Sequence, residues 1–221
     1  MTTAFKEEFE NQGYVILKGL YTTEEAHRLK EEAAAILARH DVHQSGVFLG
    51  LTAESPLFKE AARTPRLAQA LKEIVGDSVV FLSDKLVFKN ASTDFGSPWH
   101  QDYSYWRGSH KLSVWIALDD ANPANGCLRI VPGSHLSTAS HDGQVTDDLG
   151  FVHRLDEKDI DPSQIVDLPA SKGDAIVFHD LLLHASYPNT SGADRWALIS
   201  TYKDGTQPDP DYSWAKAAFA L

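Results

Sequence analysis

From residue 79 to residue 202 the chain is a series of short β-type runs cut apart by turn residues, and this pattern constrains the fold more than any other feature. The runs cover 79–89, 112–118, 127–131, 164–168, 174–178, 182–187 and 196–202. Most are too short for a helix, and they are bounded by Gly, Pro, Asn, Asp and Ser. Seven or eight such strands predict a sandwich or jelly roll closed by antiparallel pairs. The preceding part reads as helical. Thr22-x-x-Glu25 is a capping-box pattern in front of Ala26, Leu29, Ala33, Ile36 and Leu37, which share one helical face, so the spacing predicts a helix to about His40. A second helix is expected from Pro65 to Gly76, with Leu67, Leu71, Ile74 and Val75 inward. Residues 41–60 show no firm period. The fold expected is therefore mostly β with flanking α-helices: one domain over 1–221, helical to about 78, with a jelly-roll core over about 79–204 and the helices packed on one sheet.

Composition narrows the function classes. The net charge of −11 over 221 residues argues against nucleic-acid backbones and anionic membranes, both of which require clustered Lys and Arg. A small-molecule partner is expected instead. No apolar run approaches the ~18 residues needed to span a bilayer, and the first residues lack the apolar stretch of a signal peptide. The single cysteine, Cys127, has no internal partner, so a cytoplasmic location is expected.

The chemistry-bearing residues lie inside the β region. His100-Gln101-Asp102 follows Pro98-Trp99, His184 lies 84 residues downstream, and Arg195 is 11 residues further on. On an extended segment His100 and Asp102 project to one face and Gln101 to the other, so the pair can chelate one ion. Two imidazoles and a carboxylate are the ligand set of a facial iron site, with three positions of an octahedral ion left open. The triplet alone is weak evidence, since composition predicts roughly one H-x-D by chance. The second element is expected to be a hairpin of 181–187 and 195–202 joined through 188–194, which sets His184 opposite Arg195 across about 4.8 Å. The guanidinium fork of Arg195 would then hold a dicarboxylate beside the metal. His179 is the rival distal ligand; His184 is preferred because it has the arginine partner. The same donors also suit a divalent-metal hydrolase or a non-catalytic metal-binding jelly roll.

Beyond these residues, Trp99-His100-Gln101-Asp102, Trp115 to Asp120, Asn125-Gly126-Cys127-Leu128, Val131-Pro132-Gly133-Ser134-His135, Lys172-Gly173-Asp174, Phe178 to Ser186 and Arg195 occur in order. With these motifs the chain resembles the phytanoyl-CoA dioxygenase (PhyH) family of non-haem Fe(II)/2-oxoglutarate oxygenases, from about Gly13 to Asp204. The resemblance implies a double-stranded β-helix of the cupin-like jelly-roll type, with Fe(II), 2-oxoglutarate and O2 as cofactor, cosubstrate and oxidant. It also implies hydroxylation of an unactivated C–H of a small metabolite, with succinate and CO2 released. Carried over by position, His100, Asp102 and His184 match the iron ligands. Arg195 matches the basic residue on the far carboxylate of 2-oxoglutarate, Ser186 a hydroxyl that helps it, and Trp115 an aromatic wall beside it. Halogenating relatives lack the carboxylate found here at Asp102, so its presence favours oxygen chemistry. Tyr103, Tyr105 and Trp106 are candidates for the substrate side. Residues 41–60 and 137–163 are expected to act as lids, because a reactive centre has to be shielded from water.

Overall fold

In a computed structural model, residues 4–40, 46–106, 108, 110–141, 143 and 151–221 are described. Eleven strands form two antiparallel sheets among these residues. The larger sheet holds β1 (Tyr14–Leu17), β2 (Val47–Leu49), β3 (Val79–Lys89), β5 (Lys111–Ala117), β8 (Ala175–His179), β10 (Arg195–Asp204) and β11 (Phe219–Ala220), and the smaller holds β4 (Ser97–His100), β6 (Leu128–Ile130), β7 (Val166–Leu168) and β9 (His184–Ser186). The order is β1-β8-β5-β10-β3-β11 in one, with β2 also on β3, and β4-β9-β6-β7 in the other. This is a jelly roll of the cupin-like type, as expected from the strand pattern.

The helices cover the outer face of the larger sheet. They are α1 (Ala4–Gln12), α2 (Thr23–His40), α3 (Leu51–Glu54), α4 (Pro56–Ala61) and α5 (Pro65–Val75). The capping box forms as its residues dictate: Glu25 N–H donates to Thr22 Oγ1 at 3.1 Å and Thr22 N–H to Glu25 Oε2 at 2.7 Å. Strand β5 shows why the central strands read as continuous apolar runs. Leu112, Val114 and Ile116 pack in one core with helix residues such as Ile36, Phe58 and Leu71, while Trp115 and Ala117 pack in a second core between the sheets. Both faces are buried, so no polar alternation remains.

Two expectations are corrected. Residues 181–187 and 195–202 do not form a hairpin: β9 belongs to the small sheet and β10 to the large one. The 188–194 link crosses the sandwich because each strand finds its ladder partners elsewhere, β9 on β4 and β6, and β10 on β3 and β5. The extended segment expected to carry both His100 and Asp102 ends sooner. β4 stops at His100, and Asp102–Tyr105 is a turn of 3-10 helix, with Ser104 donating back to the Gln101 carbonyl. The stretch 46–60, which shows no period, contains β2, α3 and most of α4, elements too short to display one. Residues 41–45 lie outside the described residues. No described helix is long and apolar enough to cross a membrane.

The helical layer carries stability separately from the inter-sheet space. Leu71 is fully buried in the outer core, so Leu71→Ala is expected to lower the unfolding free energy by about 2–5 kcal/mol. Urea denaturation followed by circular dichroism measures this; a change under about 0.5 kcal/mol would show that α5 is not integral to the core.

Candidate active site

The two sheets enclose a cavity of about 1120 Å³, and the residues singled out in the sequence are divided between its walls. The small sheet supplies the two histidines. β4 and β9 pair Ser97 with Ser186 and His100 with His184, so the β4 side holds one extra residue between these pairs. That bulge at Pro98–Trp99 shifts the register by one and brings His100 opposite His184 instead of Leu183. The imidazole centroids are consequently 4.1 Å apart. His184 thus faces His100 along the ladder, where Arg195 had been expected.

Their hydrogen bonds orient the rings. His100 Nδ1 lies 2.8 Å from the Pro98 carbonyl and His184 Nδ1 lies 2.9 Å from the Leu182 carbonyl. A carbonyl only accepts, so each Nδ1 carries the proton and donates it, which leaves both Nε2 lone pairs free. Asp102 is treated similarly. Ser113 Oγ donates to its Oδ2 at 2.9 Å, while Oδ1 stands 3.6 Å from His100 Nε2 and 3.9 Å from His184 Nε2. Three buried donor atoms therefore converge within 4.8 Å of one another, and no fourth His, Cys, Asp or Glu joins them among the described residues. An open facial set of this kind fits an iron ion that keeps exchangeable positions. Burial followed by the neighbouring His100 pushes the His184 imidazole down to about 3, so it is neutral at physiological pH. Burial also disfavours the Asp102 carboxylate, but His184, His100 and Lys85 outweigh it and hold its pKa far below the usual range.

Gln101 points away from the donors, as expected. Its side chain donates to the Leu181 and Ser137 carbonyls and accepts from Ala139 N–H, which ties the triplet to two flanking loops. His179 is not in the donor group; it accepts from Leu181 N–H and packs against His135 and Phe9.

The larger sheet supplies the opposite wall. Arg195 is 1% exposed, borders the cavity, and has Nε and Nη1 buried with no hydrogen-bond partner among the described residues. Its neighbour across β3 is Lys89, also buried. The guanidinium with its free donors, next to the Lys89 amine, fits a carboxylate of a cosubstrate. Burial and the Arg195 charge push the Lys89 ammonium down to about 6. Lys89 Nζ donates to Ser186 Oγ at 2.8 Å, and Ser97 N–H donates to the same oxygen at 3.1 Å. With its oxygen occupied by two donors, Ser186 keeps its own hydrogen to give to a ligand. Trp115 lies under the guanidinium, 5.8 Å from ring centroid to Arg195 Cζ. Asp119 fixes the start of β10 by accepting from Trp196 N–H at 3.0 Å and from Lys30 of α2. Gly126 makes room: a Cβ there would meet the Tyr187 carbonyl at 2.8 Å and Lys89 Cδ at 2.9 Å, and its φ is +102°.

Lys89 and Ser113 were not singled out from the sequence. Each is a polar residue beside apolar ones on a strand of the larger sheet, and that was the available signal. Of the aromatic candidates, Tyr105 and Trp106 line the cavity, whereas Tyr103 does not and packs on His141 at 5.8 Å. Phe151, from the 137–163 segment, also lines it and sits edge-on to His100 at 4.7 Å; residues 142 and 144–150 lie outside the described residues. Val47, Leu49 and Thr52 from the 41–60 stretch border the mouth, as does a C-terminal segment that includes Trp214.

Comparison with known proteins agrees with this geometry. The sequence profile of the phytanoyl-CoA dioxygenase (PhyH) family matches residues 9–197. The chain belongs to the PhyH family. It is accordingly an iron- and 2-oxoglutarate-dependent oxygenase. Similar members include phytanoyl-CoA dioxygenase domain-containing protein 1 of Danio rerio, 26% identical over 86% of this chain and 85% of that protein. Another is the L-proline trans-4-hydroxylase of Streptomyces griseoviridis, 26% identical over 79% of this chain and 69% of that protein. Among solved structures, the non-haem α-ketoglutarate-dependent carbocyclase SnoK from nogalamycin biosynthesis shares the fold. Its TM-score is 0.80 at 19% identity, over 100% of this chain and 96% of that one.

The Ser113 bond makes a quantitative prediction. Outer partners of metal ligands typically contribute 10- to 100-fold in affinity, so Ser113→Ala should weaken Fe(II) binding by about that factor, with folding intact, in anaerobic calorimetric titration. Unchanged affinity would show that Asp102 does not depend on the hydroxyl.

Proposed function

We propose that this oxygenase hydroxylates an unactivated C–H of a small-molecule metabolite, with 2-oxoglutarate converted to succinate and CO2. The observation that carries the reading is the pairing of an open three-donor set with a buried arginine whose Nε and Nη1 have no hydrogen-bond partner among the described residues. His100 Nε2, His184 Nε2 and Asp102 Oδ1 hold the iron in this assignment. Iron supplies the site at which oxygen is activated when the 2-oxo acid is bound. Arg195 grips the far carboxylate of 2-oxoglutarate through its free Nε–H and Nη1–H, and Ser186 donates a further bond to it. Lys89 acts through Ser186 by holding its hydroxyl in orientation. Trp115 walls the cosubstrate on the side of the larger sheet.

The remaining cavity is the substrate chamber. Tyr105, Trp106 and Phe151 shield the metal ligands from water and leave an apolar lining near His100. The protein contributes position and dryness, and no general acid or base is required of it. A hydrolase would have no use for a buried arginine with unpaired donors beside the metal donors, and a structural metal site would close with a fourth ligand. The cytoplasm is the expected location.

Succinate release tests the proposal. Protein reduced and loaded with Fe(II) is incubated with 2-oxoglutarate, oxygen and a metabolite panel. Wild type is expected to form succinate, with stimulation by a panel member that gains one oxygen atom. His184→Ala and Arg195→Ala should each lose at least about a hundredfold in kcat/KM for 2-oxoglutarate, consistent with removal of a charge-assisted bidentate contact or a metal ligand. Wild-type release no greater than that of the His184 variant across the panel contradicts the assignment.

A further inference from the structure

The charges lining the cavity do not follow those of the whole chain. The protein carries a net −11, yet its cavity wall holds two carboxylates, Asp84 and Asp102, against Lys85, Arg195 and Lys216. Both carboxylates are committed. Asp84 accepts from Thr52 N–H at 3.0 Å and from the Thr52 hydroxyl, and Asp102 belongs to the metal donors. Arg195 is assigned to the cosubstrate. What is left is cationic: Lys85 in the wall and Lys216 exposed at the rim.

Lys85 is the informative one. On β3 the alternation turns Ser83, Lys85 and Val87 toward the cavity. Lys85 pairs with Leu49 of β2 on one side and Ile199 of β10 on the other, and Ile199 in turn pairs with Trp115. It therefore occupies the cross-strand row of Trp115, four residues along β3 from the Lys89–Arg195 row, roughly 13 Å at strand spacing. A lysine that far along does not duplicate the Arg195 contact. It is half-buried, and among the described residues its ammonium has no hydrogen-bond or ion-pair partner. The cavity carboxylate its charge acts on is Asp102, one of the metal donors; with Asp102 engaged by a metal, the ammonium is left to pair with an anionic ligand.

We infer that the substrate carries a carboxylate, as a small organic or amino acid does, and that Lys85 binds this group to set which C–H faces the metal donors. The inference rests on the oxygenase reading above and specifies its substrate class. A carboxylate suits the site better than a phosphate: one ammonium is present in the wall, without the arginine fork or cluster of backbone N–H groups that phosphate sites employ. The apolar neighbours Leu49, Phe95, Trp106 and Trp214 accommodate the rest of the molecule.

Calorimetry on protein loaded with Mn(II) and 2-oxoglutarate provides the test. The probes are 3-phenylpropanoate, L-phenylalanine and L-proline, each compared with its primary amide. At least one acid is expected to bind about tenfold or more tightly than its amide, the discrimination of one charge-assisted hydrogen bond. Lys85→Gln should abolish that preference and Lys85→Arg should keep it. No acid favoured over its amide, or a preference that survives in Lys85→Gln, overturns the inference. So does a loss of 2-oxoglutarate affinity in Lys85→Gln as large as its loss of acid binding, which would assign Lys85 to the cosubstrate. Failure of wild type to bind 2-oxoglutarate at all would count instead against the oxygenase reading.

Discussion

Arg195 and Lys89 lie next to each other on adjacent strands, buried, with no carboxylate hydrogen-bonded to either among the described residues, and the arrangement of the site depends on that placement. Burial first and the neighbouring Arg195 charge second push the Lys89 ammonium down to about 6. Such a pair is tolerable when an anion joins it. The surroundings prepare for one: Ser186 is held by two donors so that its own hydrogen is free, Trp115 supports the guanidinium, and Gly126 leaves room for the lysine stem. On the proposed assignment, the site is organised around a ligand carboxylate before that ligand arrives.

The metal donors depend on a different constraint, a one-residue bulge in a four-residue strand. Were the ladder regular from the Ser97–Ser186 pair onward, Leu183 would stand opposite His100, and His100 and His184 would project to opposite faces. The two halves of the site thus lie on separate sheets, and only the closed sandwich brings them together. Neither sheet by itself holds a complete site.

Much of this was legible from residue patterns. The strand runs at 79–89, 112–118 and 196–202 correspond to β3, β5 and β10 within two residues at either end, because long strands flanked by turn residues carry a clear signal. His100, Asp102, His184 and Arg195 do converge on one cavity. The route to that convergence was not legible: His184 and Arg195 were expected on one hairpin, and they meet from opposite sheets. Strand pairing is a long-range property, and a turn-rich link of seven residues serves a sheet crossing as well as a hairpin. The register that pairs His100 with His184 was hidden for the same reason, since a bulge leaves no periodic trace. Lys89, Ser113 and Lys85 were overlooked because polar residues in a strand read as its exposed face until both faces are known to be covered.

Proteins similar to this chain are named for different outcomes, a proline hydroxylase by sequence and a carbocyclase by fold. On the proposed assignment, the metal donors and the cosubstrate contacts leave the outcome open, so the walls of the chamber decide what is oxidised and how. The claim on which everything else rests is that Arg195, with Ser186 and Lys89, is built for the far carboxylate of a five-carbon 2-oxo diacid. Equilibrium binding of 2-oxoglutarate and of 2-oxopentanoate, which lacks that carboxylate, to the Mn(II)-loaded protein addresses it directly. The account predicts that 2-oxoglutarate binds tighter by about a hundredfold, the contribution of a bidentate charge-assisted contact. Equal affinities for the two acids would contradict it.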